Sequence, residues 1–228
     1  MRERRWYMAA LAALVVGGFA FAAFFRANIP VFDFSNGSIL SYEFGMSTIR
    51  LYEATSQSAQ ELLDASEAVV SVRATGVRTF TKDDILSEVT VEQVYKGDSV
   101  KRGDTLLIFE PITVSGTNEV GYDFNFYGLS NLMAAGHSYI LPLRFFERPE
   151  EYRYSEEDKR MYLLTDPYYG PFPVSLQEKP LILEDDRRNT LRYADTLVHD
   201  CVAVSQEEFE AYRRMRGEFL ELIGFEQG

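Results

Sequence analysis

His199 and Cys201 stand two residues apart near the carboxyl end of the chain, and two is the side-chain repeat of a β-strand. On a strand the two side chains would share a face, placing a thiol beside a base, the arrangement that makes cysteine a nucleophile at neutral pH. The same pair could begin a transition-metal site, which needs three or four ligands. His137 is the one other histidine, and Cys201 is the one cysteine. Against both readings, a free cysteine is more often a small buried hydrophobe, and a histidine beside Asp200 is more often simply satisfied. Asp83-Asp84, Glu150-Glu151, Glu156-Glu157-Asp158 and Glu184-Asp185-Asp186 offer oxygen ligands for calcium, but none has the spacing or the glycine of an EF-hand loop. There is no phosphate-cradling glycine loop, no Gly-x-Ser-x-Gly elbow and no His-Glu-x-x-His. No metal or cofactor is expected, and Cys201 with His199 remain the candidates for an exported hydrolase or thiol-dependent enzyme.

A second group points to binding rather than reaction. Tyr122, Phe124, Phe126 and Tyr127 crowd the glycine-punctuated stretch from Ser115 to Asn131, which reads as a long loop. Aromatic side chains bring large contact area with few rotors, so these four are the candidate ligand-binding residues. The alternative is that the loop folds back to close one end of the domain.

The elements that must position these residues follow from hydrophobic periodicity. Ser58 with Glu61 makes a capping box for a short helix over Ala59–Ser66, with Leu62 and Leu63 inward. Ala68 to Val77 and Ile85 to Tyr95 alternate as half-buried antiparallel strands do. Lys96-Gly97-Asp98 and Arg102-Gly103-Asp104 are turns. Leu106–Phe109 form a third strand stopped by Pro111, Ser138–Phe146 a fourth and Met161–Thr165 a fifth, with Glu147–Arg160 a solvated hairpin loop. Later strands are expected at Leu181–Leu183 and Thr196–Val204. Ser205 with Glu208 opens a last helix whose face carries Phe209, Tyr212, Met215, Phe219 and Leu222, a packing surface against the sheet.

The amino terminus sets the expected location. Arg2, Arg4 and Arg5 precede an uncharged run, Trp6 to Phe25, closed by Arg26. Twenty residues at about 1.5 Å each match the roughly 30 Å hydrocarbon core of a bilayer. Residues 6–25 are thus read as a transmembrane anchor in the cell membrane. The arginine asymmetry puts residues 1–5 in the cytoplasm and the remainder outside. A cleaved secretory signal, with Ala20 and Ala22 as the small residues, is the alternative. The expected organisation is then a juxtamembrane stalk over 26–57 with hairpin-like alternation between Ile29 and Glu53, a β domain over 58–175, and a carboxyl-terminal extension over 176–228. The chain is acidic, with a formal net charge of −12. An acidic surface disfavours nucleic acid as a partner. A lone cysteine excludes an intramolecular disulfide.

Ser66-Glu67-Ala68-Val69-Val70, Val91–Val94 followed by Tyr95-Lys96-Gly97-Asp98, Asp104–Phe109, and Gly136-His137-Ser138-Tyr139-Ile140-Leu141 occur in an order that resembles the netrin-like module shared with tissue inhibitors of metalloproteinases, in its disulfide-free bacterial form. The likeness covers about Glu61 to Val174. It implies a mainly β (α+β) fold, an OB-type five-stranded antiparallel barrel with flanking helices. The amino-terminal cysteine that makes the inhibitory contact in animal members has no counterpart here, so protease inhibition is not implied. The function expected is a non-catalytic binding module for another envelope protein or a surface ligand.

Overall fold

The computed structural model describes residues 2–28, 43–46, 54–81, 84–117, 121–174, 180–183 and 192–225. The chain divides into two compact units, Met1–Ser35 and Asn36–Gly228. The first contains one helix, α1 (Arg2–Asn28), along which Leu14, Val16, Phe19 and Phe21 stand exposed. The expected membrane anchor is corrected here, because among the described residues no helix is long and apolar enough to cross a membrane. The uncharged run from Trp6 to Phe25 has the length of a span, and length and charge flanks were what the expectation rested on. The single-pass topology inferred from that run, with an outside domain, is withdrawn with it.

The second unit is α+β. Its sheet contains β1 (Glu43–Met46), β2 (Ala68–Thr81), β3 (Asp84–Lys96), β4 (Thr105–Thr117), β5 (Gly121–Phe126), β6 (Ser138–Phe145), β7 (Met161–Leu164) and β8 (Phe172–Pro173). Five of these close a ring in the order β4-β3-β2-β6-β7, with β7 returning to β4. Every junction in the ring is antiparallel except β7–β4, which is parallel, and β1 runs parallel to β5. The sheet is therefore mixed rather than purely antiparallel. Alternate residues fill the ring: Val70, Val72 and Ala74 from β2, Val89 and Val91 from β3, Leu106 and Ile108 from β4, Leu141 and Leu143 from β6, and Leu164.

A second core lies on the outer face of β2 and β6. There α2 (Ala59–Ala65) and α4 (Gln206–Leu222) cover Val69 and Ile140 with Leu62, Phe209, Tyr212, Met215 and Phe219. Ser58 and Ser205 cap these helices through Oγ, accepting the N–H groups of Glu61 and Glu208 at 3.2 Å. The two glutamates reach back to the N–H groups of Gln57 and Val204. Leu222, expected on the packed face of α4, is exposed. Lys96 Nζ donates to the carbonyls of Leu63 and Asp64, a cation where the α2 dipole favours one.

Two loops are held by buried aspartates. Asp158, in the charged segment Glu147–Arg160, is buried. It accepts the N–H and Oγ–H of Ser155, at 2.9 and 2.6 Å, and pairs with Arg148 at 2.7 Å. These bonds hold its carboxyl at a pKa of about 2. The segment is mostly exposed, as expected, and Asp158 clips it from within. Asp166, wholly buried, accepts the N–H groups of Thr55, Ser56 and Tyr168 and the hydroxyl of Thr55, tying the segment before α2 to the turn after β7.

The remaining elements are β9 (Pro180–Ile182), α3 (Tyr193–Thr196) and β10 (Cys201–Ala203), with β9 and β10 paired in parallel. The strand expected over Thr196–Val204 is thus only three residues long, preceded by a helical turn. Of the stalk expected over 26–57, most lies outside the described residues.

Candidate functional site

Two irregularities flanking β3 build a polar cluster at one end of the ring. Between β2 and β3, Ala74 faces Val89 but Arg78 faces Ser87, so β2 carries two residues more than its partner. Gly76 lies in that bulge at φ +85°. A Cβ there would meet the Cβ of Ala135 at 2.7 Å, so only glycine fits the turn and the close approach. On the other side, Leu86 faces Phe109 and Asp84 faces Thr113, giving β4 two extra residues around Glu110 and Pro111. Bulges re-aim side chains and interrupt pairing. Pro111, which lacks an N–H, is tolerated in this gap, and β4 continues past it to pair with β5.

By alternation from Leu106 and Ile108, Glu110 faces the interior of the ring, where it is 6% exposed. Its Oε1 accepts the hydroxyl of Ser87 at 2.7 Å and the N–H of Met133 at 3.1 Å. Burial raises the Glu110 pKa above the usual carboxylate range, while the Arg78 charge and these two hydrogen bonds oppose the rise. Arg78 Nη2 donates to the carbonyl of Met133. Glu110 Oε2 and Arg78 Nε are buried and have no hydrogen-bond partner among the described residues. Tyr139 closes the cluster by accepting the N–H of Ala134 at 2.7 Å.

Above this end lies a cleft of about 210 Å³ whose lining includes Arg78, Asn131, Tyr193, Leu197, His199 and Asp200. Asn131 holds the wall together: Nδ2 donates to the carbonyls of Thr196 and His199 at 2.9 and 3.0 Å, and its N–H donates to Asp200 O at 3.1 Å. Burial pushes the Tyr193 hydroxyl up to about 12. Burial also raises the Asp200 carboxyl, opposed by the charges of His137, His199 and Arg216. Both histidines of the chain therefore act on one carboxylate.

The structure separates the residues expected to do thiol chemistry. Cys201 is 3% exposed in β10, packed among Ala203, Phe209 and Tyr212. Burial pushes its thiol well above the ordinary value, with Glu208 and Asp200 adding to the rise. His199 lies before β10, in the turn after α3, and lines the cleft, so the pair does not occupy one strand face. The aromatic group is divided as well. The Ser115–Asn131 stretch is largely a hairpin of β4 and β5, not a long loop, because Gly116 to Val114 pair with Tyr122 to Phe124. Phe126 is 1% exposed and belongs to the core, and Tyr127 receives a hydrogen bond from Thr113 Oγ1 at 2.9 Å. For Tyr122 and Phe124 the described facts are their places in β5.

Among the described residues, no group of three His, Cys, Asp or Glu could hold a metal ion. Asp83 and Glu184-Asp185-Asp186 lie outside the described residues. Arg78, Glu110 and Asn131 were not among the sequence candidates. One signal was available: with Leu106 and Ile108 inward, the strand period places Glu110 inward too. No protein-family model matches the chain, and no curated protein matches it.

Proposed function

We propose that the chain is a non-catalytic binding module and that the cleft at the end of the ring receives its ligand. The observation that carries this reading is the cleft itself, a polar concavity set over a ring whose interior is otherwise filled with side chains. A five-membered ring of strands with α2 and α4 packed on its outer face supports the resemblance to the netrin-like, OB-type module, from whose expected antiparallel pairing the β4–β7 junction departs. The quoted segments fall on β2, the end of β3, β4 and β6.

A thiol-dependent enzyme is the weaker reading. A thiolate is the reactive species, and burial of Cys201 disfavours it. Iodoacetamide labelling of the native protein tests the choice. Cys201 is expected to react no faster than global unfolding exposes it. Rapid labelling of folded protein at neutral pH would overturn the non-catalytic reading.

A further inference from the structure

Resting on the assignment of the cleft as the ligand site, we propose that its ligand is a small zwitterion carrying a carboxylate and an ammonium group, of the size of a free α-amino acid. Two opposite charges line the cleft without satisfying each other. Arg78 and Asp200 both contribute to the walls and both are half-buried; among the described residues no ion pair joins them, and the charges nearest Asp200 are those of His137, His199 and Arg216. Among the described residues the guanidinium donates one hydrogen bond, to the carbonyl of Met133, and its charge acts on buried Glu110 without a hydrogen bond between them. The Asp200 carboxylate accepts no hydrogen bond among the described residues, while its backbone carbonyl is held by Asn131. The other polar groups of the wall are committed to the fold. Asn131 uses Nδ2 on Thr196 and His199 and Oδ1 on the N–H of Leu132.

A cationic group at one wall rewards a carboxylate, and an anionic group at the other rewards an ammonium. Charge-assisted hydrogen bonds to both would exceed neutral ones in strength. A simple anion would meet Asp200 across the cleft, and a simple amine would meet Arg78. A molecule bearing both charges avoids either repulsion. Size points the same way. At about 210 Å³ the cleft falls below the roughly 300–1,000 Å³ of sites that take drug-sized molecules, which favours a ligand of a few heavy atoms. Glu110, whose carboxyl feels the Arg78 charge from the ring interior, does not itself line the cleft.

The test uses the full chain and the proteinogenic L-amino acids, each compared with its N-acetyl and its carboxamide derivative, by calorimetry and amide chemical shifts. At least one free amino acid should bind with shifts at 131–135 and 197–200. Loss of either charge on the ligand should weaken binding tenfold or more. Arg78→Met should remove the penalty for the carboxamide, and Asp200→Asn the penalty for the N-acetyl form. The derivative series needs no variant, so a variant that fails to fold leaves the proposal testable. Acetate or a simple amine binding as well as any amino acid would overturn the zwitterion while leaving the cleft a binding site. An absence of shifts in the cleft with every compound would overturn the zwitterion, and the binding-module reading would then stand or fall on the labelling of Cys201.

Discussion

Replacing Glu110 separates what its shape contributes from what its charge costs. In Glu110→Ala, Ser87 Oγ–H and Met133 N–H both lose their acceptor inside the ring. An unsatisfied buried donor costs about 1–3 kcal/mol, so the pair accounts for about 2–6 kcal/mol before any cavity is counted. Glu110→Gln keeps an acceptor at Oε1 and should stay within about 1.5 kcal/mol of the parent at neutral pH. The two variants also differ from the parent in pH dependence. Because burial raises the Glu110 pKa in the folded state, its protonated form is favoured by folding. That stabilisation is fully present below the unfolded-state pKa and is lost as pH rises through the higher folded-state value. Urea denaturation followed by circular dichroism at several pH values should show the parent losing stability relative to Glu110→Gln as pH increases. Equal stability of the Ala and Gln variants, or a parent that gains on Gln with rising pH, would refute the placement of Glu110 in the ring.

Phe126→Ala should lose about 3–5 kcal/mol in the same assay, since Phe126 is buried core rather than a binding-loop residue. Asp166→Ala removes the acceptor of four hydrogen bonds, and limited proteolysis should then cleave near Thr55 well before the parent is cut. The depressed pKa of Asp158 gives a contribution present above the unfolded carboxylate value and lost as pH falls through about 2. Asp158→Asn should accordingly flatten the acid limb of the stability profile.

What could be read in the sequence was local. Alternation over Ala68–Val77 and Ile85–Tyr95 marks β2 and β3, and the pairs Ser58/Glu61 and Ser205/Glu208 mark two helix starts, because each signal lies within a few residues. Pro111 misled by the same local logic: a proline ends a strand unless the ladder is interrupted at that place, and the interruption depends on pairing with Asp84 and Leu86. The glycine-rich stretch after it reads as a loop, yet pairing with β4 makes it a strand. The polar cluster was hidden for a related reason. Arg78 and Glu110 lie within reach of each other's charge because β2 and β4 each carry extra residues against β3, and strand register is a non-local property. His199 and Cys201 look like a strand pair in isolation, but α3 delays the strand and carries His199 to the cleft.

The central claim is that the cleft at the end of the ring is where this protein binds. Its most direct test is the amide spectrum of the isotopically labelled chain with and without a protein-free small-molecule extract of the source cells. The account predicts shifts confined to 131–135, Arg78 and 193–200, weakened about tenfold or more in Arg78→Met that melts as a folded protein. A spectrum unchanged in that region, or shifts centred on Cys201 and the outer face of α4, would contradict it.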